Sequence, residues 1–474
     1  MSRSKKFAYS LVKSRRPFLG SYLIISAVWY LSLFPGRLGF DYSKAIVMIQ
    51  NGESTSWWTS LFWWFLRLSS LEGRTIAIAS FLCLTGLGYS LFYLCESLPG
   101  KKTVNRLALL LVSLTPLYGA FGVNVSHDVF QVAGILIFTG FQFKVFSARE
   151  KIISADYLAV TLASAMVLTT HYGLPLIAVN VFLFLFQKYF KLAFLISTTT
   201  ALISVVSPIG ITQVPTYGLV IPIMGDLKCI AQLETAELSD ADWSFLLSIA
   251  PKAEWINPKT CSFIDYSLED MTSVKLGDIE FNKSLLSNYL RITAKNPAVV
   301  AMAHFQRASV ALPPPFFFGP PNQVIRDPDI PIGQGTNNAL QSYPGVLHPS
   351  IDEPSVDLKI GWLAPLEALA QAGIFLVNQA SWFWGWGGLW LWPIVIYLAV
   401  SYKGTGIFIR LSILSNILVL HGLLLILASP LPRYVISTIL LGLLITVRSA
   451  IYGYLRIPNN SSQSNLSGRN ADQP

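Results

Sequence analysis

Among the polar residues of this chain of 474 whose types could do chemistry, Asp41 has the least structural explanation. It stands in Pro35-Gly36-Arg37-Leu38-Gly39-Phe40-Asp41-Tyr42, where no clear helix offers a carboxylate an end to cap. A carboxylate so placed suits a general base or a metal ligand. His127 and Asp128 form a second polar position, and His171 a third, beside Tyr172-Gly173-Leu174-Pro175. Arg433, between Pro432 and Tyr434, is a fourth, and arginine suits two-point capture of a phosphate. Plainer roles stand beside these. Asp128 fits a helix N-cap, either histidine an interfacial polar residue, and Arg433 a snorkelling anchor. No C-x-x-C or H-x-x-x-H spacing points to zinc.

These residues are distant in sequence, so something must gather them. Hydrophobic residues make up 53% of the chain and charged ones 12%, against about 25% charged in soluble proteins. Mean hydropathy is +0.53. The charges cluster in short runs and leave apolar stretches that meet or approach the roughly 20 residues a bilayer-crossing helix needs. Only helices satisfy their own backbone there. The expectation is an α-helical polytopic membrane protein with about ten transmembrane helices and an extracytoplasmic mixed domain inserted between spans seven and eight. The net charge of +9 sits largely in short connections. That is the positive-inside pattern and not a nucleic-acid surface.

With a basic N-terminus inside and an uncleaved first span over 18–34, the chain divides into four parts. Residues 1–211 form an N-terminal core of seven spans, with a first outer loop at 35–74. Residues 212–358 form the outer domain, 359–457 an interfacial helix (360–377) and three spans, and 458–474 a polar tail. Span three is read as one helix over 107–123. Residues 157–187 break at His171 into two short helices. The aromatic run Trp57, Trp58, Phe62, Trp63, Trp64 and Phe65 is read as a helix lying on the outer leaflet. This threading puts every basic cluster of the first seven spans on one side. It puts Asp41, His127, Asp128, His171 and Arg433 on the other; with 360–377 as a span instead, everything after it flips and Arg433 falls inside.

In the outer domain, helices are expected at 240–249 and 283–295, followed by a proline-rich extended stretch over 313–354. Cys229 and Cys261 fall in this domain. A disulfide between them fits an oxidising compartment and contributes about 3 kcal/mol; two buried thiols are the alternative.

Gly39-Phe40-Asp41-Tyr42-Ser43, Ser126-His127-Asp128-Val129 and Pro432-Arg433-Tyr434, set in this architecture, resemble the integral membrane glycosyltransferases of the GT-C class, closest to poorly characterised bacterial relatives. The resemblance covers most of the chain, on motifs of two to five residues. It implies transfer of a sugar from a polyprenyl-phosphate carrier on the outer face of a bacterial inner membrane. The acceptor would be a glycan, lipid or protein. It further implies Asp41 as catalytic base, Asp128 with His127 as a second acidic position contacting the acceptor or a divalent cation (Mg or Mn), with His171 placed with them as an acceptor or metal contact, and Arg433 as the ligand of the carrier phosphate. Tyr42 stands where members of the class often carry a second acid. Two other classes compete: a transporter or flippase, and a non-catalytic scaffold whose outer domain binds a partner.

Overall fold

The computed structural model describes residues 14–38, 40–53, 59–147, 152–170, 173–206, 220–233, 235–256, 272, 275, 278–308, 343–344, 363–379, 387–403, 406–427 and 435–456. Of Asp41 it describes the backbone alone. The described chain is mostly helical. Four helices are long and apolar enough to cross a membrane: Ala77–Ser97, His127–Phe146, Ile407–Leu425 and Ile436–Gly453. Shorter apolar helices cover Ser154–Val167, Gly173–Phe186, Phe190–Val206, Ala364–Leu376 and Gly387–Ser401.

The first half runs α1 (Arg15–Ser32), β1 (Arg37–Leu38), α2 (Phe40–Gln50), α3 (Ser60–Ser69), α4 (Ala77–Ser97), α5 (Lys102–Ser113), α6 (Pro116–Gly122), β2 (Asn124–Val125), α7 (His127–Ser147), α8 (Ser154–Val167), α9 (Gly173–Phe186) and α10 (Phe190–Val206). α7 is the axis of the bundle, packed on α4 and α8. The approach to α4 is close: a Cβ at Gly140 would lie 3.0 Å from Leu94 Cα. Small residues at such crossings let apolar helices meet where no hydrophobic force drives them together. At its C-terminal end α7 is tied to α8 by a buried ion pair, Lys144 Nζ to Asp156 Oδ2 at 2.8 Å. Asp156 also accepts from Ile153 N at 2.8 Å, closing the first turn of α8.

Span three departs from the sequence expectation. It is two helices, α5 and α6, bent by 66° at a break. Pro116 opens α6, and Thr115 before it is extended at φ −77°, ψ 145°. Proline clashes with the helical conformation of its predecessor and has no N–H to give, so the helix stops and restarts. Trp29 of α1 donates its indole N–H to Ser113 O at 2.9 Å. That partners a carbonyl at the end of α5 whose desolvation unpaired would cost about 1–3 kcal/mol.

The second half runs α11 (Val220–Gln232), α12 (Asp240–Ile249), α13 (Lys252–Ile256), α14 (Ile279–Lys295), α15 (Pro297–Arg307), β3 (Tyr343–Pro344), α16 (Ala364–Gln379), α17 (Gly387–Ser401), α18 (Ile407–Leu427) and α19 (Ile436–Arg456). α11 to α15 enclose their own apolar cluster around Leu227, Leu246, Trp255 and Ile292. His304 of α15 fastens this cluster to the bundle: its Nδ1 donates to Leu425 O at 2.6 Å, among the last carbonyls of α18. Its Nε2 meets Asp226 Oδ2 at 3.1 Å, and Tyr289 Oη donates to the same oxygen at 2.8 Å. Cys229 is disulfide-bonded; Cys261, its expected partner, lies outside the described residues.

The three short strands join remote parts of the chain. β1 pairs with β2 in parallel, Arg37 opposite Asn124 and Leu38 opposite Val125. β3, from the proline-rich stretch, pairs with the other edge of β1 in antiparallel register.

Candidate functional site

The site is built on the β1–β2 ladder. Each strand runs into a helix one residue after it ends: Gly39 leads to α2, and Ser126 to α7. Asp41 and Asp128 are the second residues of those helices. The expectation of no helix at Asp41 is therefore corrected. Its window lacks apolar periodicity, but β1 fixes where α2 starts. A carboxylate in a helix's first turn faces the positive end of the macrodipole, worth about 0.3–1 kcal/mol to the charged form.

Two groups seat the ladder on α4. Gly36 has φ +128°, and a Cβ there would fall 2.4 Å from Ser80 Cβ, so only glycine fits. Ser80 Oγ in turn donates to Val123 O at 2.8 Å, just before β2. One serine of α4 thus touches the entries to both strands.

Ser126, and not Asp128, is the N-cap of α7: its Oγ accepts from Asp128 N at 3.0 Å. The same Oγ lies 2.9 Å from Asp128 Oδ2 and 2.9 Å from Tyr42 Oη. Tyr42 Oη lies 2.7 Å from His127 Nδ1 and 3.4 Å from Asp128 Oδ2. His127 Nε2 approaches Asp128 Oδ1 at 3.5 Å. Asp128 is 2% exposed and Tyr42 2%, so these groups answer to one another more than to water.

Counting hydrogens restricts the network. Ser126 has one, given to the Asp128 carboxylate. With a neutral imidazole, Tyr42 donates to His127 Nδ1 and His127 carries its hydrogen on Nε2, toward Asp128. With an imidazolium, Nδ1–H donates to Tyr42 Oη, and Tyr42 donates to Asp128 instead. Both assignments are compatible with the observed positions of these heavy atoms.

Phe62 of α3 closes one side, with ring centroids 5.6 Å from Tyr42 and 5.4 Å from His127. Phe65 meets Phe130 edge-on at 4.7 Å. Phe62 and Trp63 are 0% and 1% exposed. One face of α3 is thus a wall of the site, while Leu68 of the same helix is exposed. Trp57 and Trp58 lie outside the described residues. The end of α8 is tied in as well. Thr169 Oγ1 donates to His127 O at 3.3 Å, and Thr169 O accepts from Thr59 Oγ1 at 2.7 Å.

The fold therefore brings the backbone of Asp41 beside His127 and Asp128, through Tyr42. His171 and Arg433 lie outside the described residues, as the nearest described neighbours Thr170 and Val435 mark. No group of three His, Cys, Asp or Glu residues able to hold a metal occurs among the described residues. The sequence reading named Tyr42, Ser126 and Phe62 only as members of motifs or of the aromatic run, not as neighbours of His127 and Asp128. Serine is a favoured N-cap, a signal that could have found Ser126; no local signal marks Tyr42 as a partner of His127. No protein-family model, curated protein or solved structure matches the chain.

Proposed function

We propose that the protein is a multi-pass membrane glycosyltransferase of the GT-C class that takes a sugar from a polyprenyl-phosphate carrier. The observation that carries this reading is the parallel β1–β2 pairing, which sets two acids in the first turns of adjacent helices at one end of an apolar bundle. In the proposed reaction Asp41 accepts the proton of an acceptor hydroxyl as its oxygen bonds to the anomeric carbon. The bond from that carbon to the carrier phosphate breaks, and Arg433 holds the departing phosphate. Asp128 and His127 orient the acceptor, with Tyr42 fixing their relative position. A divalent cation, Mg or Mn, remains part of the proposal only as a ligand of Asp128; no step is drawn through it.

The ten-span threading and the extracytoplasmic placement of α11 to α15 belong to the same proposal, as does a bacterial inner-membrane location. Lys144 lies in the last turn of α7, at the opposite end of that helix from Asp128, which supports that sidedness. The test is sugar transfer from a synthetic polyprenyl-phosphate donor by purified Asp41→Asn protein that retains its fold. Loss of turnover by a factor of about 10² or more is expected of a general base. Wild-type turnover by the variant would remove Asp41 from that role.

One observation favours transport as a second reading. Asn180 Nδ2 donates to Asn416 Oδ1 at 2.5 Å deep among apolar helices, and polar groups at such depth often mark a substrate path. Substrate flux into sealed vesicles carrying the protein would establish it.

A further inference from the structure

A cavity of about 950 Å³ opens at the end of the bundle remote from Asp128. Phe146, near the end of α7, lines it, about 27 Å along that helix from Asp128 at 1.5 Å per residue. The other walls are the Pro99–Gly100 turn, α17 and α19. Among the described lining residues Arg448 is the one cation, and there is no acid.

Arg448 is held from one side. Its Nε donates to Asn105 Oδ1 at 2.7 Å, and Nη2 donates to Pro99 O at 2.7 Å. Asn105 is itself fixed, donating to Cys95 O at 3.2 Å and to Leu98 O at 2.9 Å. The guanidinium lies over the Tyr397 ring, 5.0 Å from its centroid. These bonds set its plane and use neither Nη1 hydrogen. A planar fork with a free edge matches a phosphate.

The rest of the cavity has a different character. Ile396 and Val400 of α17 line it while 58% and 71% exposed, so its flank opens sideways, where hydrocarbon would surround the bundle. A free anion would leave that flank uncovered. A molecule with a phosphate and a hydrocarbon chain covers both parts. We propose that this cavity binds a phosphate-bearing lipid of the adjoining leaflet, its phosphodiester on Arg448 and its chain along Ile396 and Val400. The inference stands independently of the glycosyltransferase reading.

Gly453 supplies a second variant at the rim: it lines the site, and a Cβ there meets nothing within 4 Å, so a larger side chain can be placed beside the cavity. The full-length protein in detergent is titrated with phosphatidylglycerol, and bound lipid is counted by native mass spectrometry. Wild type should retain one lipid through mild activation. Arg448→Gln and Gly453→Leu should each retain at least tenfold less, and chain-matched diacylglycerol should not be retained. Excess inorganic phosphate should leave the bound lipid in place. Displacement by inorganic phosphate would make this a site for a soluble anion and overturn the proposal. Equal retention of diacylglycerol would overturn it too, as would wild-type retention by Gly453→Leu. Arg448 also anchors Asn105, so if Arg448→Gln does not fold, Gly453→Leu decides.

Discussion

Leu38 and Val125 face each other across a parallel ladder, and Asp41 and Asp128 each stand three residues beyond that pair. The equal offset puts both acids at the second position of a helix, on chain segments separated by α3 to α6. A one-residue slip between the strands would undo the match, because side chains alternate along a strand. Four expectations follow from how this arrangement and the helical cluster beyond it are held.

Tyr42→Phe removes one oxygen and almost no volume. His127 Nδ1, 2.7 Å away, loses its link to Asp128, and Ser126 loses a neighbour. We expect a folded protein with transfer activity down about 10- to 100-fold and an altered pH profile, since the proton can no longer pass between His127 and Asp128 through a hydroxyl. Unchanged activity and pH profile would leave Tyr42 a packing residue only.

Ser126→Ala deletes the N-cap of α7 and a bond to a buried carboxylate. Cap loss costs about 1 kcal/mol, and the weakened solvation of Asp128 adds about 1–3 kcal/mol. Thermal unfolding in detergent should show the drop. Ser126→Thr, which keeps the hydroxyl, should recover most of it.

Gly36→Ala meets two obstacles at once. The φ of +128° is unfavourable to any side chain, and the new methyl would collide with Ser80. Strain and overpacking together should cost about 3 kcal/mol, and β1 must shift. Activity should fall with stability, because Asp41 follows β1 directly. A fully active, fully stable variant would show that Asp41 does not depend on the seating of β1.

Asp242 gives the pH dependence its sign. Burial pushes its carboxyl up, but hydrogen bonds from Ser239, Lys295 and Arg291 outweigh that and hold it well below the ordinary carboxylate range. Arg291 and Lys295 reach it at 2.7 and 2.9 Å. A depressed folded value means the stabilisation is complete above the unfolded value of about 3.9 and is lost as pH falls through the folded one. Unfolding of the α11–α15 cluster should be flat from neutral pH to about 5 and weaken below about 4. Asp242→Asn should be less stable at neutral pH and lose the acid slope; an unchanged slope would assign it to another carboxylate.

The helices at Ala77–Ser97 and His127–Phe146 were legible because apolar length alone marks them. The break at Pro116 was legible in type but was passed over, since an apolar run hides a 66° bend. Within the site, Asp41, His127 and Asp128 stood out because charge in an apolar chain is costly and needs a reason. Tyr42 stood out only as the residue in place of a second acid, not as a partner of His127. One tyrosine among 19 carries no signal until another segment is beside it.

By itself the sequence marked the long apolar stretches, four of which form helices long enough to cross a membrane, and the helix at 240–249. Those properties are local: hydrophobic length, charge and capping are set by residues within a few positions of each other. Only the tertiary structure decided that Leu38 pairs with Val125, that Ser80 links both strand entries, and that Tyr42 joins His127 to Asp128. Such pairings bring together groups more than 40 residues apart. They depend on the shape of the packed bundle, and no periodicity along the chain records that shape.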